Sequence, residues 1–174
     1  MGTIRYILAK AETIYCSDKE YRISLTSEIL NATASIHLHL DIDPVFFLGI
    51  PGSKIIGVRI NGHKVWEGES LDTVDLDLDK SLFIIGENSI YVELFYQYPA
   101  CYVGAVGNIS GYIDFTGSYE SRVEEAEKPP QPCKILGILD IGAVDPETCG
   151  MINLAVTAGL LLIGGLIVIK LLLK

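Results

Sequence analysis

Two histidines and an aspartate alternate along one short segment of this chain, in a pattern that could hold a metal ion. His37, His39 and Asp41 are each separated by one apolar residue, and in a β-strand this spacing puts all three side chains on one face. Imidazole nitrogens and a carboxylate are ligands typical of zinc and related metals. The alternative, which we favour, is the solvent-facing side of an amphipathic strand, because no matching ligand cluster appears elsewhere in the sequence.

A second group of acids, Asp72, Asp75, Asp77 and Asp79, offers the oxygen ligands that calcium prefers. Their spacing lacks the glycine of a dedicated calcium loop, so we expect a solvated strand edge that resists pairing with other strands. The sequence contains no nucleophile elbow, glycine-rich phosphate loop or Cys–His pairing. We therefore expect a protein without enzymatic activity and without a cofactor.

The four cysteines follow no metal-binding spacing. Cys133 and Cys149 bracket a short segment and would close a loop as a disulfide in an oxidising compartment or in a hyperthermophile. Cys16 and Cys101 are expected to be buried thiols or a bridge in the core.

Two sites for sugar attachment follow from the sequence. Asn31 and Asn108 each begin an Asn-x-Ser/Thr triplet, so both are glycosylation acceptors if this part of the chain is exported. Triplets of this kind also arise by chance, so they do not by themselves decide the compartment.

The elements that carry these residues are short strands separated by turns. Residues 33–42 alternate strictly between apolar and polar types, which is typical of a half-buried antiparallel strand. Asn61-Gly62 predicts a tight hairpin. Further strands are predicted at 4–8, 13–16, 21–25, 55–60, 64–66, 73–79, 89–96 and 109–115. The sequence thus predicts an all-β fold, an antiparallel β-sandwich or jelly roll, over residues 1–118.

Three consecutive pieces, 58–68, 73–79 and 85–94, resemble the middle of a galactose-binding-type jelly roll. In that family a strand ending in Val-x-x-Asn-Gly leads through a hairpin to a Gly-x-Asn-x-Ile-x-Val strand, and this chain has Asn61-Gly62 and a second turn from Gly86 to Asn88. The resemblance implies a fold. It implies no sugar site, because the ligand-binding loops of the family have no residue-by-residue match here.

The composition changes after the β-rich part. Residues 119–132 are acidic and then proline-rich, which predicts an extended, semi-rigid linker. Residues 133–145 form a membrane-proximal segment that either lies at the interface or adds a strand to a neighbouring molecule. Residues 146–174 are predicted to be a transmembrane helix with a short basic tail.

The predicted span is the uncharged run 151–169, which at about 1.5 Å per residue reaches roughly 28 Å, close to the thickness of a bilayer core. Small residues in this run, Ala155, Gly159, Gly164 and Gly165, would allow close packing against another membrane helix. The two lysines after the run favour a cytoplasmic tail. The lack of a signal-like segment at the start favours the opposite topology, a tail anchor with the domain on the cytoplasmic face.

The acidic composition, with a net charge of −9, argues against nucleic acid and anionic headgroups as partners. Glutamine occurs only at positions 97 and 131, a compositional feature found in thermophiles. We expect a membrane-anchored structural protein that assembles with other structural or membrane proteins, in one version as a virion component between capsid and membrane. The alternatives are a cell-surface carbohydrate-binding module and an accessory subunit of a membrane protein complex.

Overall fold

The computed structural model describes residues 1–47, 49–96, 105–129, 131–135 and 139–144, together with residues 151, 152, 155, 156 and 159. Most of these residues lie in β-strands, and the strands of the N-terminal part form two sheets. The predicted all-β sandwich is confirmed at this level.

The larger sheet has five strands in the order β11-β1-β10-β3-β8. Its antiparallel part is held in register by the long pairings of β10 with β1 and with β3. The bounds of these strands are β1 Gly2–Ile14, β3 Thr33–Pro44, β8 Thr73–Leu78, β10 Gly107–Gly117 and β11 Arg122–Glu125.

The smaller sheet has four antiparallel strands in the order β2-β9-β6-β7. Its strands are β2 Lys19–Leu25, β6 Ser53–Ile60, β7 His63–Leu71 and β9 Gly86–Tyr96. Two isolated hairpins pair β4 Phe46–Phe47 with β5 Ile50–Pro51, and β12 Gln131–Ile135 with β13 Leu139–Val144. A short helix, α1, covers Ser27–Ala32, and a single 3₁₀ turn covers Lys80–Leu82.

The core lies between the two sheets, because strands such as β2, β9 and β10 bury every second side chain. In β10 the buried and half-buried residues alternate along the whole strand. Phe115 packs edge-on against Tyr6 and Phe83, with ring centroids 5.8 and 5.3 Å apart. Such aromatic contacts add to the apolar burial that drives folding.

The two turns singled out in the sequence meet at one end of the sandwich. Asn61 and Gly62 both have positive φ, as a tight hairpin requires. The Asn61 side-chain amide donates to Asn88 Oδ1 at 2.8 Å, and Asn88 is fully buried. Gly86 has a φ of 102°, a conformation that side chains rarely adopt.

Three elements differ from the sequence expectation. Segments 4–8 and 13–16 are not separate strands, because β1 continues through a register shift at Ala11, whose φ is 51°. The sequence of helix α1 shows no helical period of apolar residues. The helix depends on its N-cap, where Thr26 Oγ1 accepts a hydrogen bond from the Ile29 amide at 3.2 Å. Residues 122–125, expected in a linker, form the edge strand β11, paired in parallel with β1.

Candidate functional site

The His37, His39 and Asp41 side chains lie on the outer face of the larger sheet, as their alternation predicts. Each meets a side chain of β8, the neighbouring edge strand. His37 Nδ1 is 3.0 Å from Asp77 Oδ1, and His39 Nδ1 is 2.7 Å from Asp75 Oδ1. The Thr73 hydroxyl donates to Asp41 at 2.6 Å.

This row of outer-face side chains extends from β3 across β10 to β1. Tyr112 stacks on His39 with ring centroids 5.0 Å apart, and the Arg5 guanidinium lies 3.7 Å from the centre of the Tyr112 ring. Arg5 also makes two hydrogen bonds of 2.7 Å to Asp114. Tyr112 is thus in contact with a side chain from each flanking strand, so its ring is not an open platform on which a sugar could stack.

On this face, the carboxylates of Asp75 and Asp114 are hydrogen-bonded to basic side chains. The hydrogen bond from His39 holds the pKa of Asp75 below its usual value, and His37 acts in the same direction. The bonds to Asp114 raise the pKa of Arg5. Across the residues described, no three His, Cys, Asp or Glu side chains are arranged to hold a metal ion. The metal site at His37, His39 and Asp41 stays a prediction.

A buried charge cluster, which the sequence did not predict, lies where β1 ends and β2 begins. The Lys19 side chain is only 2% exposed, and its Nζ donates to Glu12 at 2.8 Å and to the Thr13 carbonyl at 3.2 Å. Lys128 Nζ is 2.6 Å from the other Glu12 oxygen. Burial raises the pKa of Tyr21, and the Glu12 carboxylate raises it further.

Residues 122–128, which we call the exit strap, connect the edges of the two sheets. The strand β11 lies against β1, and the Ala126 amide donates to the Ile7 carbonyl at 2.9 Å. Glu127 then exchanges two backbone hydrogen bonds of 2.7 Å with Arg22 of β2. Part of the segment expected to be an extended, semi-rigid linker is therefore fastened to both sheets.

The predicted glycosylation sites lie in different environments. Asn31 is exposed at the end of α1. Asn108 is half-buried in β10, where its side chain accepts from Thr13 Oγ1 at 3.3 Å.

Cys16 is disulfide-bonded. The side chains of Cys101, Cys133 and Cys149 lie outside the described part of the chain, so the Cys133–Cys149 bridge stays a prediction.

Part of the predicted membrane span falls among the described residues. Ala155 and Gly159 are helical, whereas Gly164 and Gly165 lie outside the described residues. In the described part of the chain, no helix is both long enough and apolar enough to cross a bilayer.

No protein-family model, no curated protein and no solved structure matches this chain.

Proposed function

We propose that this chain is a non-enzymatic structural protein, anchored in a membrane through residues 151–169, whose β domain makes protein–protein contacts at the membrane surface. In the version we favour, the sandwich is a jelly roll and the protein links the membrane of a virion to its capsid. A domain that assembles at a membrane surface must be joined to its anchor from a defined point. The exit strap supports this function, because it fixes the outgoing chain to both sheets.

The outer faces of the sandwich fit contacts with other proteins better than catalysis. On the outer face of the larger sheet, Arg5 pairs with Asp114 and His39 with Asp75, whereas Asp41 accepts a hydrogen bond from the Thr73 hydroxyl. A surface with charged and polar groups in fixed positions can match complementary groups of a partner, and such matching sets specificity more than affinity. The outer face of the smaller sheet, on the other side of the sandwich, carries Arg59 beside Glu93.

Cross-linking of the full chain in the membranes of intact cells tests the proposal. We expect cross-linked oligomers, or adducts with a second structural protein, that form through the N-terminal domain. Recovery of only monomers after cross-linking, with no chain found in any particle or lattice, would overturn the assembly function. The control is the same reaction after detergent has dispersed the membrane and diluted the protein.

Protease accessibility of the same cells separates the two topologies, with the tail as an internal control. Protection of the N-terminal domain until the cells are opened supports assembly on the cytoplasmic face, as in a virion with an internal membrane. Digestion from outside would instead move the surface carbohydrate-binding module to first place and would make Asn31 an accessible glycosylation site.

A further inference from the structure

An apolar hairpin lies at one end of the sandwich. It is formed by β4 and β5, with Gly49 in the turn at a φ of 80°. Residues 44–51 contain no side chain that is charged or can form a hydrogen bond. Phe46 is 65% exposed, Ile50 50% and Val45 48%. Large apolar side chains grouped at an exposed tip mark a contact surface.

The hairpin stands at the end from which the chain leaves the domain. The Val45 amide donates to the Val106 carbonyl at 3.1 Å, and the Val106 amide donates to the Ile14 carbonyl at 2.9 Å, so the hairpin base lies beside the end of β1. The exit strap runs parallel to β1 toward this same end, where Lys128 reaches Glu12. We call this end of the sandwich the exit end.

We propose that the tip of this hairpin inserts into the outer part of the bilayer in which residues 151–169 are anchored. The inference rests on the proposed membrane anchor and adds a second, independent membrane contact. A bilayer is the occupant that the position favours, because the hairpin lies at the end of the sandwich toward which the exit strap runs before the predicted anchor. Phe95 and Leu71, also exposed, lie at the same end of the smaller sheet and widen the apolar surface.

The charge around the tip selects the kind of lipid. Asp43 is exposed immediately before the hairpin, the nearby Lys54 is paired with Asp72 at 3.5 Å, and the chain as a whole is acidic. Acidic side chains are repelled by anionic headgroups, so contact with zwitterionic lipids is favoured. Aromatic and aliphatic side chains without charge are the types that partition into the interfacial region of a bilayer.

Quenching by brominated lipid tests the insertion in the full chain. The protein has one tryptophan, Trp66, which supplies the background emission. Phe46→Trp and, as a second variant, Ile50→Trp are reconstituted in phosphatidylcholine vesicles with and without bromine near the top of the acyl chains. We expect the added tryptophan to lose most of its emission in brominated vesicles.

The matched control is Ile85→Trp, since Ile85 is 61% exposed but precedes β9 at the opposite end of the sandwich. Its added emission should be the same in both kinds of vesicle. Flotation of every variant with the vesicles checks the anchor separately. A chain that floats while its added tryptophan at position 46 or 50 is unquenched by bromine would overturn the insertion alone. A chain that does not float would overturn the anchor and the insertion together.

Discussion

At the scale of single residues, the buried contact between Lys19 and Glu12 is the most demanding feature of the domain. Taking a lysine out of water is costly unless a partner compensates its charge. Glu12 supplies that partner, and Lys128 supplies a second positive charge to the same carboxylate. Burial works against ionisation of Glu12, but Lys19 and Lys128 outweigh it, so the pKa of Glu12 lies below its usual value.

Glu12→Gln should therefore destabilise the domain, because it leaves the Lys19 charge buried without its counter-charge. Removing one partner of a buried ion pair costs about 3–5 kcal/mol, and we expect a loss of this order in the free energy of unfolding. Chemical denaturation of the two proteins measures it. Glu93→Gln is the control, since Glu93 pairs with Arg59 near the surface and should cost less than about 1 kcal/mol.

The same pair predicts the pH dependence. The folded-state pKa of Glu12 is lowered from an unfolded value of about 4.3, so its contribution is fully present above that pH and is lost as pH falls through the folded pKa. The stability difference between wild type and Glu12→Gln should be constant from neutral pH to about 5 and shrink below about 4. A difference that grows in acid would contradict this assignment.

At the scale of elements, the exit strap protects the sandwich from pairing with other chains, because it covers an edge of each sheet. An uncovered edge strand exposes unpaired amides and carbonyls and can pair with another chain. β11 covers β1 from Ile4 to Ile7, and the bridge between Arg22 and Glu127 covers part of β2. Charged contacts between Lys10 and Glu125 and between Lys128 and Glu12 hold the strap further.

Ala126→Pro should release the strap without unfolding the sandwich. Proline removes the amide that bonds to the Ile7 carbonyl. A lost hydrogen bond of this kind lowers the local opening free energy by about 1 kcal/mol, so trypsin should cut after Arg122 roughly five- to tenfold faster. Ala126→Ser keeps the amide and should be cut at the wild-type rate. Equal rates for all three proteins would mean that the strap is not held by this bond.

At the scale of the whole molecule, backbone pairing continues beyond the predicted domain boundary. The predicted domain boundary at residue 118 coincides with the end of β10, which stops at Gly117. Backbone pairing with β1 and β2 continues to Glu127. We therefore predict that the folding unit includes most of the segment expected to be a linker.

Two truncations test this boundary. A fragment ending at residue 129 should unfold cooperatively and stay monomeric, whereas one ending at residue 118 should have a lower unfolding midpoint and associate through the bare edge of β1. Thermal unfolding and sedimentation measure the two effects. Both fragments end before Cys133 and Cys149, so a difference between them is due to residues 119–129. Identical behaviour of the two fragments would support a domain boundary at residue 118.

Much of the fold could be predicted from the sequence, because the patterns concerned are local. The strict alternation of 33–42 places His37, His39 and Asp41 on one face whichever strands flank them. The Asn61-Gly62 turn is likewise fixed by the φ values that those two residues tolerate. The hairpin 44–51 was not predicted as paired strands, because its uniformly apolar residues show no alternation to mark which side is buried.

What the sequence determined by itself is the two-residue period of the strands, the position of the tight turn and the extent of the uncharged run 151–169. Which side chains meet depends on strand order and register, and these follow from packing the whole core. Only the tertiary structure brings Asp75 to His39, Lys128 to Glu12 and β11 to β1. Such contacts join distant segments, so no local pattern carries them, and they form only when the two sheets close on a common core.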